Sequence, residues 1–191
     1  MSELLKGRLV RLSVVDPEEV SKSFASWNRD SEYKRLLDTD PPRLHSARKS
    51  KEWLEKEVGE MGETMYWFTI RGTKDDSLLG DITLDVTHWN TRDAFVGLGI
   101  GPREFWGKGY GTEAMQLILG YAFLEINLER VTLTVFEYNP RAIRSYEKIG
   151  FRHEGRLRGA LLREGKRWDM LFMGIMREEW MQKYGNSNSD R

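Results

Sequence analysis

Two periodicities meet near residue 107, and that junction limits the folds open to this chain. Met65–Arg71, Leu78–His88 and Ala94–Ile100 are runs rich in aromatic and β-branched side chains, separated by polar turns at Thr73–Asp76 and Asn90–Asp93. Such runs predict strands, and turns this short predict an antiparallel meander. At Gly107-Lys108-Gly109-Tyr110-Gly111 the pattern changes. Ala114, Leu117, Ile118, Tyr121 and Ala122 then recur at helical spacing through residues 112–126. A strand, a glycine turn and a helix bring free N–H groups and the positive end of a helix dipole to one point, which suits a phosphate. Lys108 adds charge. The same glycines also fit a tight strand–helix turn with no ligand. A Walker-type loop is excluded, because Lys108 lies between glycines and is not followed by Ser or Thr. A dinucleotide fingerprint fails too, since Thr112 stands where its third glycine belongs.

The flanking segments complete the pattern. Residues 7–15 alternate as a first strand, and Asp16-Pro17-Glu18-Glu19 opens a helix carrying Val20, Phe24 and Trp27, with Glu19 placed for a capping box. Residues 29–45 are polar, contain Pro41-Pro42 and read as a loop with room for a short helix. Ser46 opens a second helix with Trp53, Leu54 and Val58 on its apolar side, ending between Gly59 and Gly62. Arg130–Val135 is a strand, Asn139-Pro140 starts a helix that Gly150 stops, and two strands turning at Gly165 follow between Phe151 and Met176. The order β-α-α-β-β-β-α-β-α-β-β, with no internal repeat, predicts one α+β domain over residues 1–181. Its single mixed, mostly antiparallel sheet is flanked by helices, and residues 182–191 are expected as a disordered tail.

Composition removes several function classes. Thirty basic residues balance thirty acidic ones, so no global charge attracts nucleic acid or an anionic membrane. The absence of cysteine excludes disulfides and a thiolate nucleophile. Three scattered histidines have no metal-ligand spacing, and no metal is expected. No apolar run is long enough to span a bilayer, and the first ten residues lack a leader pattern, so a cytoplasmic protein is expected.

From Val135 to Phe151 the chain reads as a strand, a polar cap, a short helix and a Gly-Phe stop. Ala142 and Tyr146 share a helix face at i,i+4, and Asn139 sits at the cap. Together with GKGYGTEA, this Asn139…Ala142…Tyr146…Gly150-Phe151 array resembles the acetyl-CoA core of the GNAT N-acetyltransferases. Residue-level similarity runs from about Val96 to Phe151 and agreement in element order over most of the chain. The later run from Gly155 to Met170 is similar to the branch containing ribosomal-protein N-terminal and spermidine acetyltransferases. One departure is Trp106, where the family often has Arg or Gln.

The resemblance implies acetyl-CoA as co-substrate, lying where strand 94–100 splays from strand 130–135. Leu98, Gly99 and Ile100 would pair with its pantetheine arm through their backbone and offer an N–H to the oxyanion. Gly107, Lys108, Gly109, Tyr110, Gly111 and Thr112 would hold the pyrophosphate, with Asn139, Ala142 and Arg144 completing the cofactor-binding set. Gly97, Gly99 and Gly101 fit a closely approached cofactor strand, or simply room for Trp106 or another ring. Tyr146, with an ordinary phenol pKa near ~10, would protonate the departing thiolate. Glu137 is the candidate base, with Asp85, His88 and a water chain as alternatives.

The implied reaction is direct acetylation, in a ternary complex, of a primary amine: a peptide or protein N-terminus or a small polyamine-like amine. An aminosugar or aminoglycoside acceptor, or a non-catalytic acyl-CoA-binding module, is the alternative. Asp38, Asp40, Glu52 and Glu55 fit either attraction of a cationic amine or solvated helix faces. Arg156, Arg158, Arg163, Lys166 and Arg167 form a basic stretch, but neither net charge nor aromatic interleaving supports nucleic-acid binding. No membrane partner is expected, and an exposed late strand suits a homodimer.

Overall fold

The computed structural model describes residues 4–185. Seven strands form one mixed sheet: β1 (Val10–Ser13), β2 (Met65–Gly72), β3 (Leu78–His88), β4 (Asp93–Ile100), β5 (Arg130–Phe136), β6 (Arg152–Arg163) and β7 (Lys166–Met176). Their hydrogen-bonded order is β1-β2-β3-β4-β5-β7-β6. The α+β class and the mixed sheet therefore stand as expected. The described residues form two compact units, residues 4–83 with Gly97–Ile118, and Leu84–Val96 with residues 119–185.

In the first unit, β1 pairs antiparallel with β2 from Val10↔Gly72 to Ser13↔Thr69. Helix α1 (Pro17–Trp27) starts as the sequence dictates, with Asp16 accepting the Glu18 N–H and Pro17 in the first turn. Glu19 does not complete a capping box; its carboxylate pairs with Arg71 of β2 at 2.7 Å. The short helix is real and defined: α2 (Ser31–Leu37), capped by Asp30 through the Glu32 and Tyr33 N–H groups. Ser46 caps α3 (Ala47–Glu60), which runs through Gly59. Leu54 of α3 is fully buried, whereas Trp53 is 45% exposed. Val15, Val20, Phe24, Trp27, Tyr33 and Leu54 form one apolar cluster, against which Val58, Trp67, Leu78 and Trp106 pack. Helix α4 (Tyr110–Gly120) opens in this unit; its last two residues and the π-type turn over Tyr121–Glu125 that follows belong to the second.

In the second unit, β4 and β5 run parallel from Asp93↔Arg130 to Phe95↔Thr132. Strand β5 pairs antiparallel with β7 along its whole length, Arg130↔Met176 to Phe136↔Met170. β6 and β7 form a hairpin with register shifts between His153 and Gly155 and between Leu157 and Leu161. Its turn places Glu164 and Gly165 at φ 53° and 72°, the left-handed pair that suits a two-residue hairpin. Helix α5 (Pro140–Ile149) has Asn139 at its start and Gly150, at φ 125°, at its end.

A sixth helix, α6 (Arg177–Tyr184), was not expected; it buries Trp180 against Phe123 at 5.7 Å between ring centres. Residues 182–184 of the expected tail are therefore helical, and residues 186–191 lie outside the described residues.

Candidate active site

The glycine loop has the backbone shape that an anion cradle needs. Gly107 and Gly109 take φ values of 72° and 92°, a region costly for side-chain-bearing residues. A Cβ at Gly107 would meet nothing within 4 Å, so open space lies in front of this backbone. Helix α4 begins one residue after Gly109, and N–H groups of a first turn have no acceptor within their own helix. The acid in that turn is directed elsewhere: Glu113 accepts the N–H groups of Arg8, Leu9 and Val10 at 3.1, 2.6 and 2.8 Å. Its negative charge is thereby engaged by three donors, leaving the dipole end favourable for an anion. Lys108 is exposed.

Strand β4 approaches this loop through Leu98 and Ile100, whose side chains lie 3.3 and 3.5 Å from where a Cβ on Gly111 would be. Its alternate positions face α1 and α2. A Cβ on Gly99 would come to 2.7 Å from the Tyr33 hydroxyl, and one on Gly101 would collide with the Trp27 ring. These two glycines thus make room for rings, but the rings are Tyr33 and Trp27. Trp106 instead donates its indole N–H to the Ile100 carbonyl at 2.6 Å.

In the second unit, the buried amide of Asn139 accepts the Ala142 N–H at 3.2 Å, so its carbonyl serves as the helix cap. Tyr146 is buried, with its ring edge-on to Phe151 at 5.9 Å. Burial pushes its phenol up to about 12. The group therefore remains a proton donor at any ordinary working pH. Arg144 is exposed, and two positions from Tyr146 on a helix place it on the other side.

The base candidates fare differently. Glu137 accepts the Asp169 N–H at 2.9 Å, and its other oxygen lies 3.8 Å from Arg156. These contacts tie its two oxygens to β7 and β6. It ties the end of β5 to β7, and Arg156 itself bonds Asp169 at 2.8 Å. Asp85 is half-buried on β3 and His88 is exposed at that strand's end.

One residue escaped the sequence reading. Asp81 of β3 accepts the Trp67 indole N–H at 3.0 Å, and burial lifts its carboxyl from 3.8 to about 6 despite the positive charge of Lys34 nearby. The pattern of β3, with Ile82, Leu84 and Val86 buried and Asp81, Thr83 and Asp85 between them, reads as one core face and one solvated face. Only the aromatic run of α1 and α2 hints that the polar face is covered at Asp81.

The acids expected on the N-terminal helices are paired: Asp38 with Lys34, Glu52 with Arg48 and Glu55 with Lys51. Asp40 is exposed. Much of the basic stretch is used on or next to the β6–β7 hairpin: Arg163 donates to the hydroxyl of Tyr138, between β5 and α5, Arg167 to the Gly159 carbonyl, and the Lys166 ammonium sits 3.7 Å from the Trp168 ring centre. Among the described residues no cluster of His, Asp and Glu could hold a metal ion, and no helix is long and apolar enough to cross a membrane.

The family model of the acetyltransferase (GNAT) domain matches residues 10–152. The SPbeta prophage-derived uncharacterized N-acetyltransferase YokL of Bacillus subtilis is 31% identical over 183 residues, covering 94% of this chain and 96% of that one. This chain belongs to the GNAT acetyltransferase family. The acetyltransferase is also 28% identical to the uncharacterized N-acetyltransferase YnaD of B. subtilis over 160 residues, 82% of this chain and 91% of that protein. Its fold is shared with spermidine N-acetyltransferase from Vibrio cholerae in complex with CoA and spermine, at a TM-score of 0.79 and 22% identity over 92% of this chain and 99% of that one. A GNAT-family acetyltransferase from Bacillus anthracis superposes with a TM-score of 0.76 at 22% identity, over 92% and 99% of the two chains. The acetyltransferase thus transfers the acetyl group of acetyl-CoA to an amine.

Proposed function

We propose that the acceptor is a peptide or protein N-terminal amine or a small polyamine-like amine, acetylated by direct attack in a ternary complex. The observation that carries this reading is Tyr146, a buried phenol kept protonated far above neutral pH on the family's helix. As the amine lone pair forms the C–N bond and the C–S bond breaks, Tyr146 gives its proton to the departing sulfur, the acylated nitrogen releases one proton to water, and water returns one to the phenol. Gly107 to Thr112 hold the pyrophosphate on backbone N–H groups, and Lys108 adds a screened positive charge. Leu98, Gly99 and Ile100 position the acyl arm through their backbone, and the Trp106 indole fixes the Ile100 carbonyl.

Asn139 and Ala142 support Tyr146 by setting the start of α5. Glu137 is a positioning residue in this reading, and Arg144 contributes only long-range charge. The V. cholerae protein's complex with CoA and spermine supports a small amine. We further read the chain as one domain working in the cytoplasm, without metal, membrane or nucleic acid. The exposed edge strand β6, with Leu157 and Leu162 53% and 61% exposed, is the surface for a second copy.

Thiol release from acetyl-CoA across a panel of N-terminal peptides, monoamines, polyamines and aminosugars tests the acceptor class. The protein contains no cysteine and is silent toward a thiol reagent. Turnover with a peptide or simple amine is expected; turnover with aminosugars alone would refute the proposed class.

A further inference from the structure

We propose that Asp81, with Trp67 and Tyr33 beside it, is the subsite that holds the positively charged head of the acceptor amine; this rests on the amine-acetylating reading above. Four observations within the first unit converge on it. Asp81 is a half-buried carboxylate with one oxygen held by the Trp67 indole N–H at 3.0 Å. Among the described residues it has no ion pair, and the ammonium of nearby Lys34 is paired with Asp38 at 3.4 Å. A desolvated carboxylate whose nearest cation is bonded to another acid is costly, and such groups cluster at functional sites.

Aromatic rings gather on Trp67 and Tyr33, the two aromatic residues that interact with this charge. Trp67 meets Phe24 at 6.3 Å and the half-exposed Trp53 at 5.9 Å, and Trp27 meets Tyr33 at 6.2 Å. Such rings offer apolar cover to the carbon chain of an alkylammonium whose charge meets the carboxylate. The position is also apt. Tyr33, which feels the Asp81 charge, has its hydroxyl against Gly99, in the strand segment assigned to the acyl arm.

The subsite accommodates one positive charge. Of the other acids on or beside α2, Asp30 and Glu32 are engaged by Arg103 and Asp38 by Lys34, while Asp40 is exposed to water rather than buried beside Asp81. A monoamine or a peptide N-terminus therefore fits it better than a polyamine that needs a second carboxylate. The bound ammonium passes one proton to Asp81, giving a neutral amine and a carboxylic acid. The freed lone pair then forms the C–N bond as the thioester C–S bond breaks; the sulfur leaves with a donated proton, and the acylated nitrogen sheds its remaining extra proton to water. The titratable groups facing Asp81 are Tyr33 and Lys34 of α2.

The test follows the Trp67 indole N–H signal by NMR in isotope-labelled full-length protein, assigned through its loss in Trp67→Phe. Propylammonium chloride is titrated against 1-propanol, its neutral counterpart. The expected result is a saturable shift with propylammonium and a response at least about tenfold weaker with propanol. Asp81→Asn, checked for an unchanged circular dichroism spectrum, should weaken the propylammonium response by about tenfold or more. Equal responses to the two compounds, or none to either, would overturn the proposal, and neither outcome depends on a variant folding. Thiol release separates this from the parent reading. If amines are acetylated and Asp81→Asn leaves KM and the pH profile unchanged, the acetyltransferase reading stands and the subsite is refuted.

Discussion

The Trp67 indole N–H and the Asp81 carboxylate meet at 3.0 Å between neighbouring strands, fixing a charge where burial disfavours it. The raised carboxyl pKa sets a direction for stability. Between 3.8 and about 6 the folded chain keeps a proton that the unfolded chain has released. Stability from this group is therefore full below the lower value and lost as pH rises through the upper one. The ceiling on that loss is ~3 kcal/mol, reduced because part of the side chain meets water. Urea denaturation of wild type and Asp81→Asn at pH 4.5 and 7 should show the variant gaining on wild type at the higher pH. A constant difference between them would contradict this assignment.

Glu113 fastens the segment before β1 to the first turn of α4. Its loss leaves three backbone N–H groups without their acceptor. Hydrogen bonds to a charged group are worth about 1.5–3 kcal/mol each, and water will replace part of them. Glu113→Ala should lower stability by roughly 2–4 kcal/mol in urea denaturation. CoA affinity, measured by calorimetry, should fall with it as the loop loses its anchor.

Gly109 at φ 92° tests the cradle itself. An alanine there costs ~1–2 kcal/mol of backbone strain and moves the N–H groups out of line. Gly109→Ala should weaken CoA binding by about tenfold or more, whereas Lys108→Ala should weaken it less and chiefly at low salt. Equal effects from the two variants would mean that side-chain charge, not backbone geometry, holds the pyrophosphate.

Asn139 is a cap before it is anything else. Asn139→Ala should cost ~1 kcal/mol in stability, while Asn139→Asp, which keeps an accepting oxygen, should cost less. Thermal melts of the two variants compare them directly.

Local signals made much of this legible. Asp16, Ser46 and Asn139 marked three helix starts, and the alternation of β3 fixed its span, because caps and periodicity act over a few residues. The glycine loop and Tyr146 were readable for the same reason. What escaped depends on distant neighbours. Glu137 looks free in sequence and is tied to Asp169, thirty-two positions away. Asp81 looks solvated until Trp67, Tyr33 and Lys34 are brought to it. Helix α6 has charged residues on much of its surface and declares itself mainly through Trp180 packing on Phe123. Gly99 and Gly101 pointed to close approach, but not to which rings approach.

The central claim is that Tyr146 supplies the proton to the leaving thiolate. Thiol release from acetyl-CoA by Tyr146→Phe, with calorimetric CoA binding measured alongside, tests it most directly. The account predicts a fall in kcat of about 10²–10⁴ with CoA affinity unchanged, since only a proton donor is removed. It also predicts that wild-type kcat shows no alkaline limb from this group until pH nears its value of about 12. A Tyr146→Phe variant that turns over like wild type would contradict the account.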